Sequence, residues 1–87
     1  MFDLNGMTAL VTGASGGLGS AIVEALVGQG ARVAVSGSNA GKLEAFAAGF
    51  DGKALPLVCD LADTAAVDAL VPRAVEALGG KLDILVN

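Results

Sequence analysis

Thr12-Gly13-Ala14-Ser15-Gly16-Gly17-Leu18-Gly19 decides how this chain is read. The apolar stretch Met7–Val11 runs into it and a helical pattern runs out of it. The octet therefore reads as a buried strand, a glycine turn and the first turn of a helix. Gly13 lets the chain leave the strand sharply. Gly17 and Gly19 allow a close approach, either of backbone to phosphate or of helix to sheet. This is the arrangement by which α/β proteins seat the pyrophosphate of a dinucleotide on a helix N-terminus. The spacing G-x-x-x-G-x-G differs from the commoner G-x-G-x-x-G, and a tight turn alone also calls for glycine. The context favours the cofactor reading: a strand before, a helix after and a second strand following.

Outward from the octet, short apolar runs alternate with helical patterns. Strands are expected at Met7–Thr12, Arg32–Ser36, Ala54–Cys59 and Leu82–Val86. A first helix over about Gly17–Gln29 places Leu18, Ile22, Ala25 and Leu26 on one face. A second over Ala40–Ala48 carries Leu43, Phe46 and Ala47, with Asn39 as its N-cap. In the third, Val67, Leu70, Val71, Ala74, Val75 and Leu78 recur at intervals of three and four. Asp63 or Thr64 caps its start and Gly79-Gly80 ends it. Pro72 falls inside this helix and is expected to kink it. Gly41 and Gly49 make the second helix short. The order β-α-β-α-β-α-β implies a parallel sheet with right-handed crossovers and helices on both faces.

Composition points the same way. Hydrophobic residues make up 54% of the 87 and charged residues 16%, with a mean hydropathy of +0.71. A free-standing domain of this size, with its high surface-to-volume ratio, should be more polar. No apolar run approaches the roughly 18–20 residues of a membrane span, and no signal peptide precedes the first strand. The excess suits part of a larger α/β domain whose strands are covered on both faces. A net charge of −4 with only five scattered Lys and Arg argues against a nucleic-acid surface. Cys59 is the only cysteine, so neither an internal disulfide nor a cysteine zinc cluster can form, and a buried packing role is expected for it. No metal site is expected, and with no secretory signal the expected compartment is the cytoplasm.

The pattern T-G-x-x-x-G-x-G resembles the cofactor motif of the short-chain dehydrogenase/reductase family. Asp60-Leu61, after the third strand, looks like that family's acidic residue beside the adenine ring. Leu82-Asp83-Ile84-Leu85-Val86-Asn87 looks like its fourth strand, ending on the first Asn of an Asn-Asn-Ala-Gly motif. The resemblance implies a Rossmann-type sheet with strand order 3-2-1-4, here incomplete. Residues 1–87 are then the N-terminal dinucleotide-binding portion of a single, truncated domain. It also implies Gly13, Ser15, Gly16, Gly17, Leu18, Gly19, Ser38, Asp60, Leu61 and Asn87 as cofactor-binding residues. The opening Met1–Leu10 and the segment Val35–Asn39 look most like bacterial 3-oxoacyl-[acyl-carrier-protein] reductases. That implies an acyl-carrier-protein-linked substrate, fatty acid biosynthesis and a homo-oligomer for the full-length protein.

Charge bears on the cofactor. An NAD site usually sets a carboxylate at the end of the second strand for the ribose 2′-OH. This chain has Ser36-Gly37-Ser38-Asn39 there. A 2′-phosphate would meet hydroxyls and no repelling charge, so NADP is expected over NAD. Gly16 stands where many NADP-binding relatives have a basic residue, which moderates that preference. The family's Tyr general acid, the Lys four residues after it and the Ser that polarises the substrate lie beyond the last strand here. The chain contains no Tyr and no His, so it has no expected catalytic residues and should be inactive alone. The alternatives are a stand-alone, non-catalytic dinucleotide-binding module and a minimal βα scaffold.

Overall fold

Four strands alternate with three helices, and each strand is short, apolar and rich in β-branched or small residues. The computed structural model describes residues 3–13, 17–60 and 62–86. In chain order the elements are β1 (Thr8–Thr12), α1 (Gly17–Gly28), β2 (Arg32–Gly37), α2 (Ala40–Ala48), β3 (Ala54–Val58), α3 (Thr64–Ala77) and β4 (Ile84–Val86). All pairings are parallel and the sheet order is β3-β2-β1-β4, the expected 3-2-1-4. Pro56 sits opposite Val35 on β3, an edge strand, where a missing N–H is tolerated.

Strand alternation sorts the core onto two faces. Ala9, Val11, Val33, Val35 and Ala54 pack with Val23 of α1 and Leu43 and Ala47 of α2. Phe46 and Phe50 lie against this cluster and meet edge to face, 5.1 Å apart. Leu10 and Ala34 point the other way and pack with Cys59 and with Leu70, Ala74 and Leu78, which line α3 and its C-terminus. Cys59 is buried, as expected of a packing residue.

The helix ends follow their cap chemistry. Asn39 Oδ1 accepts from Lys42 N at 3.0 Å and Asp63 Oδ1 from Ala65 N at 3.0 Å, so Asp63 rather than Thr64 caps α3. Past α3, Gly79 N donates to Glu76 O and Gly80 N to Val75 O, closing the helix in a Schellman motif. Pro72 removes the donor that Asp68 O would receive, yet α3 continues through it. Both residues are exposed, so water can serve that carbonyl.

Three expectations change. Of the apolar stripe read for α3, Val67 and Val71 are exposed and Leu70 and Ala74 are buried. The buried stripe of α1 is Ile22, Val23, Leu26 and Val27, whereas Ala25 is exposed and Leu18 is 79% exposed. Leu18, in the first turn of α1, joins neither core cluster. The fourth strand begins at Ile84 rather than Leu82 because Asp83 is drawn into a clasp with the start of β1. Asp83 Oδ2 accepts from Thr8 N at 2.9 Å and from Thr8 Oγ1 at 3.2 Å, and Thr8 Oγ1 also lies 2.9 Å from Lys81 O. Lys81 Nζ pairs with the same carboxylate oxygen at 3.0 Å. The Thr8 N–H and the Lys81 ammonium hold the Asp83 carboxyl below the usual carboxylate range. At the other end of the pair, Thr12 Oγ1 donates to Val86 O at 3.3 Å. Two threonines thus fasten β4 to β1, one at each end.

Candidate functional site

Parallel strands place all their C-terminal ends along one edge. Val11 lies beside Val86, Thr12 beside Ser36, and Gly37 beside Val58. The segments leaving β1, β2 and β3, namely Gly13, Ser38 and Asp60, therefore emerge on a single rim. The chain steps from β1 to β2 to β3 in one direction and then crosses back to set β4 on the far side of β1. That reversal opens a crevice beyond β1 and β4, the switch point at which open α/β sheets take their ligands.

Gly13, directly after β1, and Gly17, at the start of α1, stand at this switch point. Gly13 has φ +65, a left-handed conformation that side chains rarely adopt. Gly17 begins α1, and a Cβ built there would meet nothing within 4 Å. The space beside Gly17 is open, so packing of helix on sheet does not account for that glycine here. No acidic side chain stands in the first turn of α1, leaving the positive end of the helix dipole uncompensated by a carboxylate. Leu18, exposed beside it, adds an apolar surface at the same corner.

Along the rim, Ser38 is exposed and carries a hydroxyl where an acid would repel a phosphate. Asp60 is exposed and organises its own turn, with Oδ1 accepting from Ala62 N at 2.9 Å and its carbonyl from Asp63 N at 3.0 Å. Asp60 thus has a local structural role of its own. Gly13, Gly17, Leu18, Gly19, Ser38 and Asp60 belong to this one edge. Ser15, Gly16, Leu61 and Asn87 lie outside the described residues.

The hydroxyls expected to meet a 2′-phosphate at the end of β2 do not both reach the surface. Ser36 is 1% exposed and shares its face with Ala34, and its Oγ has no hydrogen-bond partner among the described residues. Its signal was a serine at an inward position of an otherwise apolar strand. The open Cβ position at Gly17, a helix N-terminus free of acids and the buried hydroxyl of Ser36 near the rim fit a phosphate-bearing nucleotide.

Strand order, crossover and rim define a Rossmann-type α/β unit. The chain belongs to the short-chain dehydrogenase family, whose model matches residues 7–87. It is 47% identical to the D-threitol dehydrogenase of Mycolicibacterium smegmatis, over 99% of this chain and 34% of that one. It is 45% identical to the 3-oxoacyl-[acyl-carrier-protein] reductase of Rickettsia bellii, again over 99% of this chain and 34% of the other. A short-chain dehydrogenase/reductase from Burkholderia phymatum, solved in complex with NAD, superposes with a TM-score of 0.85 at 28% identity, covering 98% of this chain and 31% of that chain. The chain thus spans about a third of the length of these relatives. No helix among the described residues is long and apolar enough to cross a membrane.

Proposed function

We propose that this chain is the NADP(H)-binding portion of a short-chain reductase that converts a 3-oxoacyl-[acyl-carrier-protein] to its 3-hydroxyacyl form. The observation that carries the binding reading is the open space beside Gly17 at the start of α1, where a Cβ would meet nothing. Backbone N–H groups at that helix start can take a pyrophosphate without obstruction. The dinucleotide, when bound, supplies the hydride that reduces a carbonyl carbon. This chain's residues bind and orient it: Gly13, Ser15, Gly16, Gly17, Leu18 and Gly19 at the phosphates, Ser38 at the 2′-phosphate, Asp60 and Leu61 at adenine, and Asn87 near a ribose.

NADP is favoured over NAD because the end of β2 carries Ser38 and no acid. A phosphate there meets a hydroxyl donor rather than a like charge. The acyl substrate rests on the Rickettsia relative together with the opening and second-strand segments. The M. smegmatis relative is as similar, so a polyol is the second reading. The chain holds no Tyr and no His, so its own contribution is binding and it is inactive alone. The whole protein works in the cytoplasm as a homo-oligomer.

Two experiments test this. Fluorescence titration of the chain with NADPH and NADH should give the tighter constant for NADPH, and equal or tighter NADH binding would reverse the assignment. A chimera carrying residues 1–87 in place of the matching segment of the R. bellii reductase should keep NADPH-dependent reduction of a 3-oxoacyl thioester. Loss of that activity in a folded chimera would count against the NADP(H)-binding reading.

A further inference from the structure

Ser36 occupies the last inward-facing position of β2. Its neighbours in the sheet are Thr12 on β1 and Leu57 on β3, the last turn of the ladder before the rim. Two residues on, Ser38 emerges at the surface. Next to it, Cys59 N donates to Gly37 O at 3.0 Å, tying the end of β2 to the turn that Asp60 organises. Strand alternation puts Ser36 on the face of the sheet that carries Leu10, Ala34 and Leu57, with the Thr12 hydroxyl, which donates to Val86 O, as its neighbour on β1. In that setting a hydroxyl without a partner is costly, and alanine would fill the position with no polar group to satisfy. A buried polar group left unsatisfied in one state is explained most simply by a state in which it is satisfied.

We propose that Ser36 is a positioning residue of the nucleotide rim, whose hydroxyl gains its hydrogen-bond partner only when the adenosine end of a dinucleotide is seated over the ends of β2 and β3. The inference rests on the dinucleotide reading and assigns it a residue that neither the glycine turn nor the surface positions supply. The Oγ is closed to solvent, so the bond forms as part of seating the nucleotide. It is not a preformed surface contact. Ser36 therefore trades stability of the free chain for affinity, the exchange expected where a local rule is broken at a binding site.

The test is Ser36→Ala, read by two measurements with opposite expected signs. The melting temperature of the ligand-free chain should rise by a few degrees, as loss of an unpaired buried hydroxyl implies for a domain of this size. Affinity for NADP and for 2′,5′-ADP should fall about five- to ten-fold, the order expected for one hydrogen bond, with nicotinamide mononucleotide binding unchanged. Unchanged affinity for 2′,5′-ADP would overturn the proposal and leave Ser36 as an interior group served by water. A lower melting temperature would overturn it too, because the hydroxyl would then have a partner in the free chain. A wild-type chain that binds neither NADP nor NAD would instead bring down the dinucleotide reading itself.

Discussion

Gly17→Ala separates a glycine kept for a phosphate from one kept for a turn. Gly17 is the first residue of α1, its φ is not left-handed, and an added Cβ would meet nothing within 4 Å. The folded chain should accept alanine without strain, and a helix favours it over glycine by up to about 1 kcal/mol, less in a first turn. Stability should therefore stay level or rise by a few tenths of a kcal/mol, roughly 1–4 °C in Tm for a domain this small. Dinucleotide affinity should move the other way. A methyl in the open space beside the helix start holds a pyrophosphate off the backbone donors, and a ten-fold loss corresponds to about 1.4 kcal/mol. Gly13→Ala is the contrasting variant. Its Cβ also meets nothing, but φ +65 puts the strain in the backbone, at a cost of about 1–2 kcal/mol. Urea denaturation gives the stabilities and titration with NADPH gives the affinities. Gly17→Ala with undiminished NADPH affinity would refute the reasoning, because the open space would then serve no ligand.

Three further outcomes are expected. Gly30→Ala should cost about 2–3 kcal/mol by urea denaturation, since non-glycine strain at such a φ is of order 1–2 kcal/mol before any collision is added. Gly30 has φ +102, and a Cβ there would strike the Asn5 carboxamide and lie 3.2 Å from Asn5 N. Asn5→Gly should relieve only the side-chain part. Asp83 is held below its ordinary pKa by the Thr8 N–H and Lys81. Its stabilising contribution is accordingly full above the unfolded carboxylate value of about 3.9 and lost as pH falls through the lower folded value. Melting scans should show wild type more stable than Asp83→Asn near neutrality, with the gap closing below about pH 4, and a gap that widens on acidification contradicts the clasp. Leu85 is 53% exposed on edge strand β4, so Leu85→Lys should reduce concentration-dependent association in sedimentation velocity. Association identical to wild type would clear that edge.

What could be read from the chain, and what could not, divides along a physical line. Strands and helices were legible where local chemistry acts alone: β-branched runs between turns, Asn39 and Asp63 at helix starts, Gly79-Gly80 at a helix end. The inward stripe of α1 was not, because periodicity gives a face but not which of its residues the fold covers. Leu18 fits the expected stripe and is exposed, while Val23, off that stripe, is fully buried. Asp83 read as part of a strand because nothing nearby in sequence marks its partner, Thr8, 75 residues away. Ser36 was hidden for the same reason. Whether a hydroxyl inside an apolar strand is satisfied depends on neighbours brought in by the fold.

The two edges of this sheet are built for different ends. At the N-terminal edge the polar groups are satisfied: Thr8, Lys81 and Asp83 close a network that sets the register of β4 against β1. At the C-terminal edge the chain breaks the rules of stable folding, with a left-handed glycine, an open Cβ position, an exposed leucine and an unpaired buried hydroxyl. Left-handed or open glycines also stand before the strands, at Gly6, Gly52 and Gly80, so glycine alone does not set the two edges apart. What distinguishes the C-terminal rim among the described residues is the unpartnered buried hydroxyl of Ser36 close to an acid-free helix start, where the sheet reverses its strand order. The same division explains why Gly17→Ala and Ser36→Ala should each leave the chain at least as stable while weakening its hold on a nucleotide.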